Sequence, residues 1–176
     1  MKPLLSHIAA LCLTSFALTA CSNNAHTPEQ MPAATATTND KGYQTYIHAG
    51  EHFKQNTFTD IDNQEVKLGD NKKLVILFAT WCSDSQRVIK QIQASPLIND
   101  TQLQIIAIGR EETTQSLTQF AQDYNLEFSL IADPERAIYS QYANKGIPRL
   151  ILLDEHNKVI KTLIGEDPNT LQQVVW

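Results

Sequence analysis

The sequence predicts an α/β domain, a mixed sheet with helices on both faces, led by an N-terminal β-hairpin. Three observations predict it. Leu74-Val75-Ile76-Leu77-Phe78-Ala79 and Leu103-Gln104-Ile105-Ile106-Ala107-Ile108 are short apolar runs, the mark of strands buried on both faces. Each run is followed by a segment of helical period. Two more strand-like segments, Leu150–Leu153 and Val159–Leu163, flank a polar turn near the end of the chain.

The chain begins with a segment that reads as a cleavable signal. Lys2 gives a positive start, and Leu4 to Ala20 is mostly apolar, interrupted by Ser6 and His7. At about 17 residues this run is short for a membrane span, which needs about 20. It ends Leu18-Thr19-Ala20-Cys21, which resembles a bacterial lipobox, in which Cys21 receives lipid and becomes the first residue. Cleavage after residue 20 of 176 leaves 156 residues, enough for one ordinary domain. Residues 21–44 then read as the lipidated cysteine and a flexible tether, rich in Ala, Thr, Asn and Pro and without apolar period. A tether of that length reaches about 25 Å on average. The domain proper is expected over 45–176.

Within the domain, Thr57–Ile61 and Gln64–Leu68 alternate apolar and polar residues around Asp62-Asn63 and predict a hairpin. Gly69-Asp70-Asn71 breaks the chain before the first buried strand. A helix is expected from Cys82 to Ala94, with Val88, Ile89 and Ile92 on one side and Ser95-Pro96 ending it. After the second buried strand, Leu117, Phe120, Ala121 and Tyr124 predict a helix over Glu111–Tyr124. Glu127–Ile131 reads as a strand. Asp133-Pro134 predicts a helix to Tyr142, with Asp133 as cap, and Asp167-Pro168 a terminal helix to Trp176.

The formal net charge is −5, and −6 once Lys2 is removed. There is no block of basic residues, so nucleic acid is not an expected partner. With Cys12 discarded and Cys21 acylated, Cys82 is the single free thiol, in a compartment where disulfides persist. It stands in Phe78-Ala79-Thr80-Trp81-Cys82-Ser83-Asp84-Ser85, where Ser85 occupies the place of the second cysteine of a C-x-x-C pair. A dithiol releases a trapped substrate by forming its own disulfide, and a C-x-x-S site cannot.

A buried strand ending in Ala79-Thr80-Trp81-Cys82, a helix beginning at that cysteine, and Gly146-Ile147-Pro148 leading into a late strand together resemble the thioredoxin fold. The leading hairpin, the strand and helix of residues 103–124, and Leu152-Leu153-Asp154 with Lys158-Val159-Ile160 resemble its extracytoplasmic TlpA/ResA-type branch, related to the AhpC/TSA proteins. The resemblance runs from about Gln55 to the end. It implies that Pro148, 66 residues after Cys82, is cis and faces the thiol, with Trp81 flanking it on the exposed side. Two features of that branch are missing: the second thiol, here Ser85, and a glutamate in the active-site helix, which here reads Gln86-Arg87-Val88-Ile89-Lys90-Gln91.

Position at a helix start favours the thiolate of Cys82, Ser85 has a hydroxyl to donate to it, and Asp84 opposes it. Such a thiol can exchange with protein or low-molecular-weight disulfides if an external thiol resolves the product. One alternative is a redox-inactive binding module of the same fold. A second is a one-cysteine peroxidase of peroxiredoxin type, which needs a hydroxyl and an arginine at the sulfur. Thr80 and Arg149 are the candidates for those roles as thiolate stabilisers. The peroxiredoxin pattern, however, puts its threonine where this chain has Ala79. No cofactor signature and no metal-ligand spacing stand out: His26 falls in the tether, His48 and His52 in a loop-like segment, and His156 in a polar turn. The expected setting is extracytoplasmic, with the membrane as a partner only through lipid at Cys21.

Overall fold

The structure, a computed structural model, describes residues 37–176. The expected signal segment, Cys12, Cys21 and the tether as far as residue 36 lie outside the described residues. A short pair, β1 (Thr37–Thr38) and β2 (Gln44–Thr45), precedes a hairpin of β3 (Thr57–Thr59) and β4 (Glu65–Lys67). Then follow β5 (Lys72–Phe78), α1 (Ser83–Gln93), β6 (Leu103–Arg110), α2 (Thr114–Tyr124), β7 (Ser129–Asp133), β8 (Arg149–Leu153) and β9 (Val159–Ile164). The main sheet has the order β7-β6-β5-β8-β9. β5, β6 and β7 are parallel, whereas β8 is antiparallel to β5 and to β9. This is the mixed α/β sheet that the apolar runs predict.

Strand alternation sorts the core into two layers. Leu74, Ile76 and Phe78 of β5 join Ala107, Leu130, Leu150 and Leu152 on one face. Val75 and Leu77 join Ile106, Ile108, Ile131, Ile151 and Leu153 on the other. Both α-helices cover the first face, α1 through Val88, Ile89 and Ile92 and α2 through Leu117 and Phe120. The second face is covered by Ile47, Phe53, Phe58 and the segment carrying Tyr139, Tyr142 and Ala143. Helical structure thus flanks both faces unequally, and on the second it shrinks to a single 3₁₀ turn, Tyr139–Gln141.

That turn is what remains of the helix expected over Asp133–Tyr142. Asp133 ends β7, and its carboxylate accepts the N–H groups of Ile138 and Tyr139 rather than those of its own next turn. Arg136, at φ +59, is left-handed and interrupts any helix there. The terminal helix is likewise reduced to a 3₁₀ turn, Thr170–Gln173, because Trp176 Nε1 donates to the Leu153 carbonyl at 2.9 Å and draws the chain end onto β8. Helix α2 begins later than its apolar period suggests. Glu111 has φ +59, and Thr113 is the true cap, in a reciprocal capping box with Ser116.

The fold also starts earlier than the expected boundary at residue 45. Residues 37–45 pair as β1 and β2 instead of continuing the tether. Asn39 Oδ1 accepts the N–H groups of Lys41 and Tyr43, and Gly42 supplies the turn at φ +69. Thr45 bridges Ala143, and Tyr46 N–H donates to Tyr142, so this piece is bound to the chain just before β8. His52 also bridges, to Lys158, so the segment holding His48 and His52 lies along the start of β9.

Candidate active site

β5 and β6 run parallel, so the loops that follow them emerge at one edge of the sheet. The loop after β5 carries Ala79, Thr80, Trp81 and Cys82. Cys82 is the N-cap of α1, with extended backbone (φ −87, ψ 119). Its N–H donates to Ala79 at 3.2 Å and its carbonyl accepts from Gln86 at 3.0 Å, so a tight turn passes directly into the first helical bond. The loop is pinned at three further points. Ala79 N–H donates to Ser85 Oγ at 3.4 Å, Gln86 Nε2 donates to the Thr80 carbonyl at 2.6 Å, and Thr80 N–H and Oγ1 both donate to Glu112 Oε1, at 2.7 and 2.6 Å.

Cys82 is half-buried, and its Sγ lies 3.6 Å from the carbonyl oxygen of Ile147. The Ile147–Pro148 peptide is cis. Pro148 is packed closely by Gly165 across the strand pair: a Cβ there would fall 2.5 Å from Pro148 Cγ. Gly165 N–H donates to the Pro148 carbonyl at 2.8 Å. Trp81 is 63% exposed beside the thiol. The structure therefore brings Cys82, Trp81 and the Ile147–Pro148 peptide to one place.

Three other candidates sit differently. Ser85 is fully buried, and among the described residues its hydroxyl bonds to Ala79 N–H and not to the sulfur. It holds the helix start against the strand end. The Thr80 hydroxyl is spent on Glu112. Arg149 is 3% exposed and donates to the Gly146 and Lys145 carbonyls, to the Gln44 carbonyl and to Thr45 Oγ1. Among the described residues, neither Thr80 nor Arg149 hydrogen-bonds Cys82 Sγ. The reason is the same in both cases: each has nearer buried partners that its polar atoms must satisfy.

Asp84 is also neutralised rather than free. Its carboxylate accepts Arg87 Nη2 at 2.7 Å, and the same guanidinium donates to the carbonyls of Gly165, Glu166 and Asp167. The negative charge two residues from the thiol therefore has a cation beside it, and α1 is tied to the loop after β9. Glu166 in turn accepts Tyr43 Oη at 2.6 Å and pairs with Lys41. Those two contacts, Lys41 first, hold its carboxyl below the usual range.

Glu112 is the functional-site residue that pattern reading misses. It is 4% exposed, and its second oxygen accepts the Ser116 hydroxyl at 2.7 Å, so its carboxylate joins the thiol loop to the cap of α2. Its signal was topological: a carboxylate just after β6 must emerge beside the loop after β5.

Residues 29–175 match the Redoxin family. The chain belongs to that family. Among curated relatives, this Redoxin-family chain is 29% identical over 112 residues to the thiol-disulfide oxidoreductase ResA of Bacillus cereus, covering 61% of the chain and 65% of that relative. It is 24% identical over 126 residues to ResA of Geobacillus thermodenitrificans, covering 69% and 72%. A putative protein disulfide isomerase from Bacteroides thetaiotaomicron shares its fold with a TM-score of 0.67 at 22% identity, over 74% of this chain and 87% of that one. StoA from Bacillus subtilis does so with a TM-score of 0.54 at 18% identity, over 67% and 91%. The Redoxin-family chain thus shares the thioredoxin fold of these structures.

Proposed function

We propose that this protein carries out monothiol thiol-disulfide exchange through Cys82. The observation that carries the reading is the placement of a half-buried sulfur at the N-cap of α1, against the Ile147–Pro148 peptide, with a buried serine three residues on. The Cys82 thiolate attacks one sulfur of a disulfide R–S–S–R′. A Cys82–S–S–R bond forms, the S–S bond of the substrate breaks, and R′–S⁻ leaves and takes a proton. Ser85 has no sulfur with which to release R. A second, external thiolate R″–S⁻ therefore attacks the sulfur of R in the mixed disulfide: an R–S–S–R″ bond forms, the bond to Cys82 breaks, and Cys82 leaves as the thiolate, the external thiol being the one oxidised.

The two groups that a peroxidase would need at the sulfur are engaged elsewhere, which favours exchange over that alternative. Protein or low-molecular-weight disulfides are the proposed substrates. The N-terminal segment supports a setting outside the cytoplasm on a lipid anchor at Cys21. Palmitate labelling of the full chain that disappears in Cys21→Ser tests the anchor.

For the chemistry, the full chain is mixed with a peptide disulfide. A Cys82–peptide mixed disulfide should accumulate and then vanish on addition of reduced glutathione. Unchanged peptide binding by Cys82→Ser, with no covalent species on either protein, would instead make it a binding module.

A further inference from the structure

We infer that Arg149 is a positioning residue for the Cys82 site, and that it acts by aiming the Ile147 carbonyl through a clamp on β2. This rests on the exchange reading above and deepens it. The segment Asn144–Pro148 contains no regular structure, so the directions of its carbonyls are set by whatever binds them. All five have partners. Asn144 accepts Arg136 Nη2 at 2.9 Å, and Lys145 accepts Arg149 Nη2 at 2.5 Å. Gly146 accepts both Tyr139 Oη and Arg149 Nε at 3.0 Å, and Pro148 accepts Gly165 N–H at 2.8 Å. Four are held by the scaffold. The fifth, Ile147, is the one turned to Cys82 Sγ.

Arg149 supplies two of those bonds and uses its remaining reach on β2, donating Nη1 to Thr45 Oγ1 at 2.7 Å and Nη2 to the Gln44 carbonyl at 3.3 Å. A planar fork of donors can hold loop and β2 together, whereas a lysine ammonium, a single point of charge, cannot serve both sides at once. Tyr43 completes the clamp. Its ring lies so close to Gly146, which has φ +85, that a Cβ there would fall 2.8 Å from it. Its hydroxyl reaches Glu166, whose neighbour Gly165 abuts Pro148. The piece of chain at the tether's end is therefore a wall of the exchange site, although none of it touches the sulfur.

Two reagents separate the loop from the thiol. Iodoacetamide alkylates Cys82 without needing an in-line disulfide, whereas oxidised glutathione must align its S–S bond beside the loop. In the full chain, Arg149→Lys should slow mixed-disulfide formation with oxidised glutathione by about ten-fold, since small misplacements carry costs of that order or more. Alkylation should change by less than about two-fold. Thr45→Val, which removes one acceptor and leaves the guanidinium, should shift the same ratio in the same direction by a smaller factor, and it decides the matter if Arg149→Lys does not fold. Equal slowing of both reactions, or slowing of neither, would overturn the positioning role while leaving exchange intact. Absence of any glutathione adduct on the unmodified chain would overturn exchange itself, and this inference with it.

Discussion

Cys82 Sγ and the carbonyl oxygen of Ile147 lie 3.6 Å apart, and that contact joins the start of α1 to the start of β8. The two elements are 65 residues apart in sequence and come together because β5 and β8 are neighbours in the sheet. What the thiol can do follows from what occupies the space around this contact.

Ser85→Cys should convert the site from one thiol to two. A cysteine three residues into the helix is within disulfide range of Cys82. Treatment with oxidised glutathione should then leave a protein lighter by two hydrogens, without a lasting adduct, in intact-mass spectra. Adduct accumulation equal to that of the natural sequence would show that position 85 cannot resolve.

Glu112→Ala should loosen the thiol loop. It strands the Thr80 N–H and hydroxyl, which are now satisfied by one buried carboxylate. Leaving such a group unpaired costs about 1–3 kcal/mol, measurable as a lowered urea midpoint. Faster hydrogen exchange at Thr80 should accompany it.

Gly165→Ala should disturb Pro148. With a Cβ only 2.5 Å from Pro148 Cγ, one of the two must move. Overpacking of this kind costs about 1–3 kcal/mol and should be visible in urea unfolding, with reduced exchange at Cys82 as its functional counterpart. An unchanged midpoint would mean that the strand pair separates without resistance.

The docking of residues 41–43 should depend on pH at both ends. Glu166 is held low by Lys41 and Tyr43, so its contribution is present above the ordinary glutamate range and is lost as pH falls through its lowered value. Lys41 is raised by the same contact, so the contribution is lost again as pH rises through the raised lysine value. Amide exchange over residues 39–45, corrected for intrinsic rate, should be slowest between those limits. In Glu166→Gln the acid limb should disappear.

The sheet was legible because β5, β6 and β8 are apolar enough to announce burial on both faces. Lys73 is instructive: it sits fully buried inside β5 because its ammonium reaches the carbonyls of Asp154 and Glu155, at 3.1 Å each. The segments at Asp133 and Asp167 fall short of the helices their sequence predicts, because a cap residue followed by proline specifies a start and not a length. Arg136 in a left-handed conformation and the pull of Trp176 on Leu153 are tertiary effects without a local pattern. Within the site, Cys82, Trp81 and Pro148 were readable from motif order. The partners of Ser85, Thr80 and Arg149 were not, since each is chosen by elements distant in sequence. Glu112 and Tyr43 carry no motif at all: strand order places Glu112 after β6, and contacts to Gly146 and Glu166 place Tyr43.

Exchange at Cys82, as proposed, ends in a mixed disulfide that needs an outside thiol for release. Intact-mass analysis of the full chain in oxidised glutathione, followed by a chase with reduced glutathione, tests it directly. One glutathionyl adduct should form, persist until the chase and be absent from Cys82→Ser. No adduct on the natural sequence, or one that disappears before any thiol is added, would contradict it.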